Sequence, residues 1–206
     1  MMASRSFRIL ALGDSYTIGS GLPLEDSWPY QLTSQLRQKG FKIANPVIIA
    51  HSGWTSLNLI EALHNNPPGG SFDLVCLQIG VNDQYECIEP SFYKENFNDL
   101  LEQSIQFARK GNNGTLVLSI PDWSVTPHAG EFDRGQVQEE LDQYNAINRR
   151  ITLSKGVRYI DVTDSSRFAE QHPELLAKDG LHPTWEMYWN WTGLIQPEAL
   201  SILRSP

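Results

Sequence analysis

Five short apolar runs, separated by longer segments with helical periodicity, constrain the fold of this chain most strongly. Their residues are almost continuously apolar instead of alternating, a pattern typical of parallel strands that are buried on both faces. The alternation of strands and helices predicts a three-layer α/β/α fold around a five-stranded parallel sheet, with right-handed crossovers. The runs are residues 7–13, 42–50, 72–80, 115–121 and 157–163.

Four helices are predicted between these runs, at 26–39, 55–64, 90–110 and 135–155. The last of them repeats apolar residues every three to four positions, which is typical of an amphipathic helix with one buried face. A further stripe near the end of the chain predicts core packing on a helix, and it consists of Trp185, Tyr188 and Trp189. We expect residues 1–206 to form a single domain.

The charge balance excludes some classes of partner. The chain has 24 acidic and 16 basic residues, for a formal net charge of −8, whereas a nucleic-acid-binding face needs concentrated basic residues. Its apolar runs are all shorter than the roughly 18 residues that a transmembrane helix requires, and the N-terminus lacks the apolar stretch of a signal peptide. We therefore predict a soluble, cytoplasmic protein without nucleic-acid or integral membrane partners.

Ser15 stands in Gly13-Asp14-Ser15, directly after the first apolar run. A helix cap by Asp14 or Ser15 is one interpretation of this position. A phosphate-binding loop would need a lysine after its second glycine, and a dinucleotide fingerprint would need a glycine where Leu24 stands. The α/β-hydrolase nucleophile elbow is also excluded, because Thr17 occupies the position of its last glycine. A nucleophile of another hydrolase design remains open, and it would need a base nearby.

His182 is the candidate base among the five histidines. Asp179 precedes it by three residues in Asp179-Gly180-Leu181-His182, a spacing that lets a carboxylate accept a hydrogen bond from one ring nitrogen. The other nitrogen would then be free to take a proton from a serine hydroxyl. A surface turn capped by Asp179 is the alternative interpretation.

Two further residues follow strand ends and can serve an oxyanion. Asn82 lies after the third apolar run, and its neutral side-chain amide is a suitable donor to a developing negative charge. Gly53 follows the second run and can present its backbone N–H with no side chain in the way. Each residue can equally be an ordinary turn former.

Taken together, these blocks resemble the SGNH hydrolases, the GDSL-type esterases and lipases. That family carries a Gly-Asp-Ser block, a glycine after the second strand, a Gly-x-Asn-Asp block and a C-terminal Asp-x-x-His. Here the second pair of blocks reads Gly80-Val81-Asn82-Asp83 and Asp179-Gly180-Leu181-His182. The similarity spans residues 13–182. One departure is Tyr16, which stands where the family usually has leucine.

The resemblance implies a flavodoxin-like sandwich and a serine esterase that acts on small-molecule esters without metal or cofactor. It implies that Ser15 is the nucleophile, His182 the general base and Asp179 the residue that orients it. It also implies an oxyanion hole formed by the N–H groups of Ser15 and Gly53 and by the side chain of Asn82. We expect Asp14, Trp54 and Trp123 to contribute to substrate binding. A flavodoxin-like ligand-binding or scaffold protein without hydrolase activity is the alternative.

Overall fold

A parallel sheet of five strands organises the chain, of which the computed structural model describes residues 6–205. The strands are β1 (Ile9–Gly13), β2 (Val47–Ala50), β3 (Leu74–Gln78), β4 (Thr115–Leu118) and β5 (Arg158–Ile160). They lie in the order β2-β1-β3-β4-β5, which is the flavodoxin-like order. Each of the five predicted runs contains one strand, so the predicted α/β fold is confirmed.

Two groups of helices cover the sheet. The helices are α1 (Ser15–Ile18), α2 (Trp28–Gln38), α3 (Ser56–Asn65), α4 (Val81–Tyr85), α5 (Pro90–Phe107), α6 (Arg134–Ser154), α7 (Thr163–Arg167) and α8 (Trp185–Arg204). Helix α2 packs against α8, while α5 packs against both α3 and α6. The four predicted helices correspond to α2, α3, α5 and α6, and the short helices α1 and α4 begin shortly after strands.

Burial on both faces distinguishes the inner strands from the edges. All residues of β1, β3 and β4 are buried, which requires helices on both sides of the sheet. The same expectation is wrong for β2, an edge strand whose Val47 is exposed and whose other residues are only partly buried. It is also wrong for most of β5 at the opposite edge. An edge strand has a neighbour on one side only, so helices cover it less completely.

Trp185 and Trp189 of α8 depart from the predicted core stripe. Tyr188 is fully buried, but Trp185 and Trp189 are 41% and 46% exposed and stack on each other with ring centroids 5.3 Å apart.

Between residues 6 and 205, none of the helices is both long and apolar enough to cross a membrane.

Strand direction places the candidate residues at one edge of the sheet. The strands β1, β2 and β3 are mutually parallel, so their carboxyl ends point the same way. Asp14 and Ser15 follow β1, Gly53 follows β2, and Gly80 with Asn82 follows β3. Ligands in open parallel sheets bind beyond these carboxyl ends.

Candidate active site

Ser15 is the first residue of α1, and Asp14 is the residue that caps this helix. The Asp14 carboxylate accepts a hydrogen bond from Tyr16 N–H at 2.9 Å. The N-cap of this helix is therefore Asp14 and not Ser15. Ser15 is only 6% exposed. Neither its Oγ atom nor its backbone N–H is hydrogen-bonded to any of residues 6–205. Both groups are therefore available to a bound molecule.

The Asp14 carboxyl is almost completely buried. Burial raises its pKa to about 7; the Tyr16 N–H bond opposes this rise, and the negative charge of Asp83 reinforces it. A carboxyl with such a pKa changes from the protonated to the ionised form near neutral pH.

Asp179 holds His182 through both of its oxygens. His182 Nδ1 lies 2.7 Å from Asp179 Oδ2, and Asp179 Oδ1 accepts hydrogen bonds from the N–H groups of Leu181 and His182. Burial tends to raise the pKa of Asp179, but the hydrogen bonds from His182 and Leu181 outweigh it and hold that pKa below its ordinary value. His182 Nε2 has no hydrogen-bond partner in the described part of the chain, so it is the free nitrogen of the ring.

The fold brings the Ser15 and His182 segments together, although the chain separates them widely. The rings of Tyr16 and His182 lie 5.3 Å apart, and Ser15, Tyr16 and Leu181 line the same cavity. Within residues 6–205, Ser15 Oγ and His182 do not form a hydrogen bond. Such bonds are often long in an unliganded site and shorten when substrate binds.

Asn82 lies near the start of α4, directly after the turn at Gly80. Its side-chain Nδ2 donates one hydrogen bond to the Trp54 carbonyl at 2.8 Å, which fixes the orientation of the amide. The second N–H of this amide has no acceptor among the described residues. The next residue, Asp83, is buried and accepts from both the N–H and the hydroxyl of Ser56 at the start of α3. Burial raises the pKa of Asp83, and the Ser56 hydrogen bonds partly oppose this rise.

Gly53 lies in the turn between β2 and α3. Its φ of +82° is a conformation that favours glycine, and its N–H has no acceptor among the residues that the structure describes. Since Asn82 binds the carbonyl of the very next residue, Trp54, the turn and the Asn82 amide are held close to each other.

A cavity of about 210 Å³ opens beside Ser15. Apart from Ser15 and Asn82, its walls are mostly apolar and aromatic, a combination suited to a small organic group with a polar reacting centre. The lining residues are Ser15, Tyr16, Val81, Asn82, Tyr85, Trp123, His128 and Leu181. Trp123 thus lies where a substrate-binding role was expected.

Trp54 and Asp14 are not among the residues that line this cavity. Trp54 is half-buried and stacks on His51 with ring centroids 5.6 Å apart. The Asp14 carboxylate caps α1. The substrate-binding roles expected of these two residues stay predictions.

Sequence reasoning missed Tyr85 and His128 as cavity residues. Tyr85 follows Asn82 by three positions, so one helical turn places both on the same face of α4, and this spacing is a signal that the sequence contains. His128 lies in a short 3-10 turn, Pro127–Glu131, and its approach to the cavity has no comparable local signal.

Among residues 6–205, no group of three or more His, Cys, Asp or Glu side chains is arranged so that it could hold a metal ion.

Comparisons with known proteins show which family the chain is similar to. The family model described as GDSL-like Lipase/Acylhydrolase matches residues 11–189. An arylesterase from Vibrio mimicus is 26% identical over 184 residues, which cover 86% of this chain and 80% of that protein.

Two solved structures illustrate the similarity of fold. LAE5, an alpha/beta hydrolase enzyme from the metagenome of Lake Arreo, Spain, aligns with a TM-score of 0.72 at 21% identity, over 98% of this chain and 99% of LAE5. The psychrotrophic esterase EstA from Pseudoalteromonas sp., in a structure inhibited by monoethylphosphonate, aligns with a TM-score of 0.70 at 18% identity, over 96% of this chain and 99% of EstA.

Proposed function

Because the chain belongs to the GDSL-like lipase/acylhydrolase family and is a carboxylic ester hydrolase, we propose that it cleaves small esters through an acyl-enzyme on Ser15. The observation that carries this proposal is the hydrogen bonding of the Ser15 hydroxyl and of the two ring nitrogens of His182. The Ser15 hydroxyl is uncommitted, His182 Nε2 is free, and His182 Nδ1 is bound to Asp179 at 2.7 Å. This combination supplies a nucleophile, a base and a residue that orients the base.

In the first half-reaction, Ser15 Oγ attacks the ester carbonyl carbon while its proton passes to His182 Nε2. The carbonyl oxygen becomes an oxyanion as the carbon turns tetrahedral. When the intermediate collapses, the bond from carbon to the alcohol oxygen breaks, and His182 returns its proton to that oxygen. The alcohol leaves, and the acyl group stays on Ser15.

In the second half-reaction, water replaces Ser15 as the nucleophile. His182 takes a proton from water as its oxygen attacks the acyl carbon, and gives that proton to Ser15 Oγ when the acyl bond breaks. The products are the free carboxylic acid and the original enzyme. Asp179 stays ionised throughout, because its hydrogen bonds hold its pKa below the ordinary value, and its charge stabilises the imidazolium.

Three donors are proposed for the oxyanion. They are the N–H groups of Ser15 and Gly53 and the side-chain amide of Asn82, all beyond the carboxyl ends of adjacent strands. A donor of this kind contributes about 3 kcal/mol to the transition state in comparable sites. The free N–H groups of Ser15 and Gly53 support this role.

The experiment that tests this function compares wild type with Ser15→Ala on p-nitrophenyl acetate. We expect the variant to lose activity by a factor on the order of 10⁴ or more, since the covalent step disappears. Ser201→Ala, which changes an exposed serine on α8, is the matched control and should equal wild type. Equal hydrolysis by wild type and Ser15→Ala would refute the proposed nucleophile.

A further inference from the structure

Tyr85 and Trp123 lie between two cavities. On one side is the cavity of about 210 Å³ that contains Ser15, and on the other is a cavity of about 130 Å³ against α6. Both residues line both spaces, and their ring centroids lie 5.5 Å apart with an interplanar angle of 62°. The two side chains therefore form a wall between the cavities.

Trp123 is the fixed half of this wall. Its ring is 2% exposed, and its indole Nε1 donates to Gln84 Oε1 at 2.8 Å. Tyr85 is 47% exposed, and its hydroxyl is not hydrogen-bonded to any described residue. The Trp123 ring also packs edge-on against Phe132, with ring centroids 5.1 Å apart, and the hydrogen bond to Gln84 is the polar contact that orients the indole.

Gln84 links that indole to α6. Its Nε2 donates to Glu140 Oε2 at 2.8 Å, and Gln136 Nε2 donates to the other oxygen of Glu140 at 2.8 Å. Gln84 is itself 4% exposed, so both ends of its amide are used in a place with little water. A buried amide with both ends satisfied holds its neighbours in one arrangement.

Gln84 shares the five-residue helix α4 with Asn82, but the two are anchored separately. Asn82 is bound to the Trp54 carbonyl, and Asp83 is bound to Ser56. A change at Gln84 can therefore release Trp123 while the bonds that hold Asn82 remain.

We infer that Gln84 determines acyl-chain specificity by holding Trp123 as the wall that closes the Ser15 cavity. With the wall in place, the site takes short acyl groups. With Trp123 released, a longer acyl chain passes between the cavities and occupies the space against α6. This inference rests on the proposed function, since it needs the acyl group to be attached at Ser15.

The test uses Gln84→Met, which keeps the length of the side chain and removes both hydrogen bonds. We measure kcat/KM for p-nitrophenyl acetate, butyrate and octanoate and compare the ratio of octanoate to acetate. We expect this ratio to rise about tenfold or more, because each added methylene gains an apolar surface to bind. Gln138→Met, the same change at an exposed position of α6, should leave the ratio as in wild type. An unchanged ratio in Gln84→Met would overturn the inference.

A second variant tests whether the effect of Gln84→Met comes from the lost hydrogen bond to Trp123 or from a general loss of packing around the cavity. Trp123→Phe keeps a ring in the wall and removes the N–H that Gln84 binds. We expect Gln84→Met to change the ratio much less in the Trp123→Phe background than in wild type, because the bond is already absent. Equal effects in both backgrounds would overturn the role of the Gln84–Trp123 bond. Trp123→Phe alone should also raise the ratio, because it removes the same bond, and an unchanged ratio in this variant would overturn the inference even where Gln84→Met folds poorly.

Two further arms identify the cause of a negative result. Acetate esters of alcohols of increasing length should give the same profile in wild type and Gln84→Met; a change there instead would show that the cavity binds the alcohol and overturn the acyl assignment. Ser15→Ala is assayed in parallel. Loss of activity in Ser15→Ala with an unchanged octanoate ratio in Gln84→Met refutes only this inference, whereas full activity in Ser15→Ala refutes the proposed function itself.

Discussion

Asp179 binds His182 twice, once at the ring Nδ1 and once at the backbone N–H, with distances of 2.7 and 3.0 Å. The two contacts use different carboxylate oxygens, so the tautomer of the ring and the path of the loop are fixed by one side chain. A third bond, from Leu181 N–H, supports the same turn. The surface-turn interpretation and the catalytic interpretation of Asp179 are therefore compatible, because the turn bonds leave Oδ2 for the imidazole.

Replacing Asp179 by asparagine should separate these two duties. The amide oxygen can still accept the backbone N–H groups, but the negative charge that stabilises the imidazolium is gone. We expect kcat/KM for p-nitrophenyl acetate to fall on the order of 10³-fold with little change in melting temperature. Asp99→Asn, at an exposed position of α5, is the matched control. A loss below about threefold would argue that His182 does not depend on this carboxylate.

Asn82→Ala should lower kcat much more than it raises KM. The lost amide is expected to act on the oxyanion, which exists only in the transition state and the intermediate, and removal of such a donor costs about 10²–10³-fold in kcat. Michaelis kinetics on a short p-nitrophenyl ester provide the measurement. Asn98→Ala on α5 controls for the substitution itself. If Asn82→Ala changed KM alone, the residue would be a substrate-binding group and not an oxyanion donor.

Asp14→Asn should change how stability responds to pH. Burial raises the pKa of Asp14 from 3.8 to about 7, so the folded state holds this proton more tightly than the unfolded chain does. The free energy of unfolding contributed by Asp14 therefore falls as pH rises between these two values, by a total on the order of 4 kcal/mol. Asparagine keeps the capping oxygen and does not titrate.

Urea unfolding at about pH 5 and about pH 8 measures this effect. Wild type should lose stability relative to Asp14→Asn at the higher pH. An equal change in both proteins would mean that Asp14 is already ionised in the folded state at the lower pH.

Gly80→Ala should be strongly destabilising. The φ of Gly80 is +127°, and an added Cβ would overlap the Tyr93 hydroxyl and lie 2.8 Å from Ile120 Cδ1. Tyr93 cannot move away easily, because its hydroxyl is bound to Ile79 O and Asn148 Oδ1. We expect a loss of about 3 kcal/mol or more in thermal or urea unfolding.

The contrasting variant is Gly193→Ala in α8, where an added Cβ meets nothing within 4 Å among the described residues. It should stabilise the protein by about 0.5–1 kcal/mol, since alanine favours helix over glycine. Similar effects of the two substitutions would contradict the crowding described at Gly80.

The local pattern of apolar residues was sufficient to predict the five strands of the sheet, because each apolar run had to be buried in a regular element. It could not predict the edges: whether β2 or β3 is covered on both sides depends on strand order, which comes from long-range packing. The same limit explains Trp185 and Trp189. Their spacing places them on one helix with Tyr188, but only the position of α8 against α2 decides which residues of that stripe reach the core.

Among the candidate residues, the sequence motifs located those that follow strand ends or lie in the Asp179–His182 turn. The cavity wall was only partly predictable: Trp123 was expected there, whereas His128 reaches it from a loop that carries no local signal. Asp14 and Trp54 lie next to candidate residues in the sequence but do not line this cavity, because the direction of a side chain depends on how the backbone turns. The roles of Ser15, Gly53, Asn82, Asp179 and His182 in catalysis are predictions that the experiments above address.

Covalent labelling with a fluorophosphonate, followed by mass spectrometry of the digested protein, tests directly whether Ser15 is the nucleophile. A fluorophosphonate reacts with an activated serine and forms a stable adduct that resembles the tetrahedral intermediate. We predict one phosphonylated peptide carrying the adduct on Ser15, abolition of labelling in Ser15→Ala and much slower labelling in His182→Ala. An adduct on another residue, or equal labelling of wild type and Ser15→Ala, would contradict the account.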